Sequence, residues 1–394
     1  MTAPGGAAGV RSGVRILASM AALATMCLAE GRPASAQAAP TTAGWYATPS
    51  FAVSEVFDDN VFGTSTDRRW DLITRFSPGL SVGYRSAPLT IELAGGFDSE
   101  VHAIETELDQ VFAQWQVGLN LQYLPTRRAT VSLAASFLET QDANVLTEGT
   151  TGQQQGRQTA RQWLASPAFQ YQFTPTTVGR IGYSFNRGEL QDGDENTTHS
   201  AFLSVFHDVS PTDTLSATYR FEYFDNRFAD GGSETFTSNV LLPGWIHRFG
   251  PADVLSVQLG ARITDPGKVT PEAAINYSHR WQLVRLDFAY VHTETTVVGD
   301  QGLQRVDALS GALVWDITRE FQGTFGASYN RSNSGPDRST TNVYGLTGGL
   351  VYQINRWLSA RAAYSLTYQD ERGNYIFRNI LSVGLAVAYP YRID

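Results

Sequence analysis

From Trp45 to Tyr391 the chain repeats one unit about every 20 residues: a run of alternating apolar and polar positions, then a turn or a polar connection. Between Leu215 and Tyr223, residues Leu215, Ala217, Tyr219, Phe221 and Tyr223 share one side, and Ser216, Thr218, Arg220 and Glu222 the other. Leu255–Ile263 and Leu358–Tyr368 repeat the pattern, and Val111–Tyr123 sets apolar and aromatic residues against Gln114, Gln116, Gly118, Asn120 and Gln122. A period of two gives a strand one apolar and one polar face. With no helical segment to cover aromatic-rich faces, their predicted cover is lipid. Eighteen such runs predict an all-β fold, a transmembrane antiparallel up-and-down β-barrel of about 18 strands (16 if one weak hairpin merges).

The connections support this scheme. Short, turn-rich links fall at residues 85–88, 124–127, 174–177, 209–213, 248–252, 279–282, 317–320 and 355–357. Longer ones fall near 58–70, 99–108, 141–158, 191–197, 227–234, 264–270, 296–303, 332–340 and 370–374. Short periplasmic turns and long external loops put both termini on the periplasmic side. Pro78, Pro167 and Pro243 fall inside strands, where each removes a ladder donor, so bulges are expected there.

The N-terminus changes the domain picture. Arg11 and Arg15 precede an apolar run, Ile16–Ala29, and Ala34-Ser35-Ala36 offers a small-x-small cleavage site. Residues 1–36 therefore read as a cleaved signal peptide and 37–394 as one barrel domain, located in the outer membrane of a Gram-negative bacterium. Cys27, the only cysteine, lies in the leader, so the mature chain has neither a disulfide nor a thiolate metal site. Past the leader no apolar stretch approaches the length of a helical span. A net charge of −9 argues against a nucleic-acid partner.

Candidate chemistry lies on the polar faces. Arg75, Arg180, Arg220, Arg262, Arg285, Arg361 and Arg378 are read as inward, with Glu92, Glu222 and Asp287 as fewer opposing acids. These predict a pore lining with cationic bias that favours anions; the alternative is that Arg220/Glu222 and Arg285/Asp287 simply pair. Acids such as Asp58, Asp59, Glu105, Asp192 and Asp225 are assigned to the loops. There they form a diffuse rim that shares divalent cations with lipopolysaccharide. The longest connection, Gln141–Gln158, is the third external loop and is expected to fold inward, with Arg157 and Arg161 near the narrow zone; the alternative is a surface loop. The six histidines form no HExxH or similar pair, so neither catalysis, nor a bound metal, nor a cofactor is expected.

One segment carries more than pattern. Pro49-Ser50-Phe51, Phe57-Asp58-Asp59-Asn60-Val61-Phe62 and Phe76-Ser77-Pro78-Gly79-Leu80 resemble the opening of the β-barrel porin 2 family. The resemblance implies an outer-membrane barrel, and some of those proteins are encoded with exopolysaccharide genes. From the residues alone, Asp58-Asp59-Asn60 reads as a structural corner. The expected function is a passive conduit for an exported polysaccharide, partnered by outer-membrane lipid and a periplasmic export component. A general or anion-preferring diffusion porin and a non-conducting surface anchor are the alternatives.

Overall fold

The computed structural model describes residues 43–143, 157–334 and 339–393. The predicted signal peptide and most of the 141–158 connection lie outside the described residues. Eighteen consecutive staves form one antiparallel sheet. The first six strands are β1 (Gly44–Asp58), β2 (Asp71–Arg85), β3 (Leu89–His102), β4 (Gln110–Thr126), β5 (Ala129–Thr140) and β6 (Ala160–Thr174). Next come β7 (Thr177–Leu190), β8 (Glu195–Asp208), β9 (Asp213–Arg227), β10 (Ser233–Arg248), β11 (Asp253–Thr264) and β12 (Lys268–Arg280). The circuit continues through β13 (Val284–Thr295), β14 (Gln304–Asp316), β15 (Phe321–Ser334), β16 (Ser339–Gln353), β17 (Leu358–Glu371) and β18 (Asn374–Ala388). After Tyr389-Pro390 the last stave resumes as β19 (Tyr391–Ile393). Each strand pairs with its sequence neighbours, and β1 closes the circuit on β18 from Ser50↔Ala388 to Asp58↔Ile380.

The alternation sets the two faces as expected. On β9 the odd positions Leu215–Tyr223 are exposed outside, while Thr214, Ser216, Thr218 and Glu222 are buried inside. Outward aromatics gather at both ends of the apolar band. Trp45/Tyr84, Trp245, Trp281 and Trp315 mark the turn end; Trp115/Phe137/Trp163 and Tyr329/Tyr344/Tyr368 mark the other. A closed barrel with this exterior satisfies its own backbone and stands in a lipid bilayer, as outer-membrane barrels do.

Two expectations are corrected. Only the connections 59–70, 103–109, 141–159 and 296–303 exceed five residues; those at 191–194, 228–232, 265–267 and 372–373 are tight hairpins. The strands are 12–17 residues long, where about 9–11 suffice to cross. Above the bilayer both faces are wet, so alternation stops marking the strand before the strand stops. The prolines make no bulge either. Opposite Pro78, Pro167 and Pro243 the ladder skips two pairs and resumes in register. A glycine on the next strand receives the displaced backbone. A Cβ on Gly96 would stand 2.8 Å from the Pro78 carbonyl oxygen, one on Gly182 3.1 Å from that of Pro167, and one on Gly260 against that of Leu241. The register shifts lie elsewhere, at Asp98/Glu100, Tyr123/Thr126 and Gln172/Thr174.

Two predictions follow from the wall. On β4, Val117 faces out and its neighbour Gln116 faces a solvent-exposed interior. Val117→Arg should cost about 2–4 kcal/mol near the midplane, and Gln116→Arg should be nearly neutral, in urea unfolding of the vesicle-inserted barrel. Equal costs would disprove the register. The two ends of β9 give the orientation: Ala229→Cys should react with an impermeant thiol reagent on whole cells and Thr212→Cys should not, and the reverse pattern would invert the barrel.

Candidate functional site

The interior has two unlike sides. Along β8–β12 the inward side chains are packed: Ser200, Ser204, Thr218, Glu222, Gln258, Arg262 and Glu272 are all buried. Arg262 is the centre of this layer, donating to Glu272 (2.5 Å) and Glu222 (2.6 Å). Arg220 joins it through Glu222 at 2.8 Å and Glu272 at 3.7 Å. Along β4–β6 the inward residues Gln116, Asn120, Gln122, Ser136 and Ser166 are exposed, as are Thr324 and Thr347 on β15 and β16. The open lumen is therefore lined by amides and hydroxyls. Sixteen- to 18-strand barrels are wide enough to hold an aqueous channel.

The predicted pore-lining residues Arg75, Arg180, Arg220, Glu222, Arg262, Arg285, Asp287, Arg361 and Arg378 all occupy inward positions of their strands. Five of the seven arginines among them carry a counter-charge. Arg75 pairs with Glu100 at 2.8 Å, Arg285 with Asp287 at 2.7 Å, and Arg378 with Asp58 at 2.6 Å. Arg180 lies with its guanidinium over the Phe202 ring. The missing counter-charges, Asp58, Asp71, Glu100 and Glu272, sit near strand ends on inward positions. Of these, Asp58 reads as a loop acid in the sequence, because alternation does not show how far the strands continue.

The two residues expected near a constriction separate. Arg157 points inside and bonds Glu100 at 3.2 Å. Arg161 is on the outer face, paired with Glu139 at 2.5 Å and Glu189 at 3.6 Å, and leaves the constriction set. The cause is parity: Ala160 is the inward, fully buried member of that pair of positions.

Three segments converge in the mouth at the long-connection end. In the first, Asp58 clamps Arg378 while its Oδ1 accepts the Asn60 amide, and Asp59 accepts from the Asn379 amide and side chain. This corner delivers Val61 and Phe62 onto Val56, Ile73, Leu108 and Ile380. In the second, Asp142 reaches Arg378 at 3.1 Å from the far end of β5, and Ala143 is fully buried. The third is the strap between β13 and β14, residues 296–303. Its Val298 packs on Ala143, Ala160 and Leu190. Asn196 on β8 donates to Thr296, and the Gly302 amide donates to Glu234 at 2.8 Å. Strand β8 lies five staves from β13, so the strap crosses part of the opening. Burial raises the Asp300 carboxyl above its ordinary range and the nearby Asp194 adds to this, against a hydrogen bond from Gln304. The strap was missed in the sequence, although Val297-Val298 is an apolar pair in a supposedly wet loop.

His102 is buried between Asp71 (2.9 Å) and Glu100, and His292 pairs outward with Asp307. Among the described residues no cluster of three or more His, Cys, Asp or Glu is placed to hold a metal.

No family model and no curated protein matches the chain. Among solved structures, OccAB3 of Acinetobacter baumannii is 8% identical and aligns over 88% of this chain and 99% of that one, with a TM-score of 0.47. OpdQ of Pseudomonas aeruginosa is 9% identical over 89% and 98%, with a TM-score of 0.45. The siderophore receptor PirA from Pseudomonas aeruginosa is 9% identical over 89% and 81%, also at 0.45. Nothing about the solutes of this chain follows from likenesses at that level.

Proposed function

We propose that this protein is a passive outer-membrane channel for small polar solutes, with its outer mouth narrowed by the strap. The observation that carries the reading is the division of the interior. Solvent-exposed Gln116, Asn120, Gln122, Ser136 and Ser166 line an open side, beneath a mouth in which Val298, Ala143 and Asp142 meet inner-wall residues of distant strands. Amides and hydroxyls exchange hydrogen bonds with water and solute at little net cost, which suits diffusion without a tight site. Charge selectivity is weak in this reading, because most inward arginines are already paired. Export of a polysaccharide is the second reading. It shares the polar lining, but needs the strap to swing clear for a polymer.

The strap can be fixed in place. Val298 Cβ lies 3.8 Å from where a Cβ on Gly188 would stand, within the usual Cβ separation of a disulfide. Gly188→Cys/Val298→Cys, oxidised, should hold the conductance in planar bilayers at a low, steady level, and a reductant should raise it. Conductance indifferent to a disulfide verified by mass would remove the strap from the pore. No conductance in either state would favour the surface anchor. Release of a labelled polysaccharide only after reduction would favour the polymer conduit.

A pH dependence follows from Asp300. Its raised value means that the strapped form prefers the neutral carboxyl. The strap is therefore tightest below the ordinary aspartate range, near pH 4, and loosens as pH rises through the raised value. Besides Gln304, the charged group that acts on it is Asp194 on the β7–β8 hairpin. Conductance should fall on acidification in the native chain and stay low at all pH in Asp300→Asn. A native profile unchanged by the substitution would assign the titration elsewhere.

A further inference from the structure

Among the inward arginines, Arg180 on β7 differs from the paired ones. Its guanidinium carbon lies 5.3 Å from the centre of the Phe202 ring. Among the described residues its side chain meets no carboxylate and no hydrogen-bond acceptor. The register sets it in an inward row with Thr130, Gln170, Ser204 and Thr218 across β5–β9. The rows on either side, Gln172–Val178–Phe206–Ser216 and Ala168–Gly182–Phe202–Arg220, add no acid. Strand β7 is the stave between the exposed inner wall of β4–β6 and the packed one of β8–β12, so Arg180 borders the open lumen.

The wall holds this guanidinium in place. A Cβ on Gly182 would collide with the Phe202 ring, so the ring takes the space that the glycine leaves, and Arg180 covers the ring. Stacking engages the face of a guanidinium and leaves the N–H donors at its edge unused. Arg180 is half-buried. It has lost part of its water and gained no anion, which favours an anion carried by a solute. A guanidinium edge meets a carboxylate with two parallel bonds. Gln170, directly opposite, adds an amide donor that has no side-chain partner among the described residues. The Ser204 hydroxyl is engaged with Thr218 at 2.9 Å. Toward the turn end, Val178 and Phe206 face each other one row away and supply an apolar flank, diagonal to Arg180 and within reach of a long side chain.

We propose that Arg180, Gln170 and the Val178–Phe206 flank form a lumenal binding site for a small organic monocarboxylate. One guanidinium without a counter-charge matches one carboxylate, and the flank takes the apolar body that an inorganic anion lacks. The site needs the open lumen of the channel reading, and its occupancy is measured without current.

The test uses the purified full chain folded in detergent and fluorine NMR of para-fluorobenzoate, with para-fluorobenzamide as the neutral counterpart. The native chain should broaden the benzoate resonance saturably, with a dissociation constant of about millimolar order, and leave the amide as in detergent alone. Arg180→Gln should weaken the benzoate about tenfold. Arg180→Lys keeps the charge without the planar fork and should restore only part of the loss. Val178→Ser/Phe206→Ser should also weaken the benzoate, and equimolar inorganic phosphate should not displace it. Heat-modifiable gel migration confirms that each variant is a folded barrel. Equal broadening of acid and amide by the native chain would overturn the site. So would undiminished benzoate binding in a folded Arg180→Gln barrel, or displacement by equimolar phosphate. Binding through Arg180 in a barrel that passes no current in planar bilayers would uphold the site and refute the channel reading.

Discussion

Every feature of this structure depends on one constraint: inside hydrocarbon no backbone N–H or C=O can be left to water. A sheet meets it only by closing, and here β1 closes on β18 with nine consecutive pairs from Ser50 to Asp58, and on β19 from Trp45 to Ala47. The prolines show how strictly the constraint is kept. Each of Pro78, Pro167 and Pro243 removes a donor, yet none shifts the register. A shift by one residue would turn a whole apolar face into the lumen. The facing glycines Gly96, Gly182 and Gly260 absorb the displacement locally instead.

Closure leaves a second problem inside. A wide barrel needs polar inward residues, but a barrel that curves tightly brings them together away from water. The structure resolves this along β8–β12 by pairing charge with charge, as in the Arg220–Glu222–Arg262–Glu272 network, with Thr293 accepting from Arg262. Losing one member of a buried network leaves its partner uncompensated, which costs more than the network contributes. The same pairing on this side leaves the side around Gln116 and Asn120 open to solvent.

Strand number, faces and the outward aromatics were legible in the sequence because the bilayer imposes a period-two rule on every residue within it. Leu215 to Tyr223 could be assigned to faces by alternation alone. Legibility ended where lipid ends. Asp58 looked like a loop acid and is an inward clamp on Arg378 from a position 320 residues away in sequence. Arg161 looked like a gate and faces outward, because one residue of parity at a strand start decides the face. The corner at Asp58-Asp59-Asn60 was readable as structure, since Asp and Asn bond their own backbone there, but its partners on β18 were not.

The mouth shows why the strap escaped pattern reading. Its Val298 is apolar for the same reason as core residues, yet its partners Ala143, Ala160 and Leu190 belong to β5–β7 or lie beside them, half a barrel away. No local period encodes that contact. It exists only after closure has brought the two walls within reach. The cost of carrying Asp300 into the same buried place is an unfavourable ionised form. A barrel wall cannot move without breaking its ladder, so any adjustment of the opening falls to segments that the ladder does not hold. The strap is such a segment: among the described contacts it is held by the packing of Val298, by hydrogen bonds at Thr296 and Gly302, and by a carboxyl whose charge opposes burial.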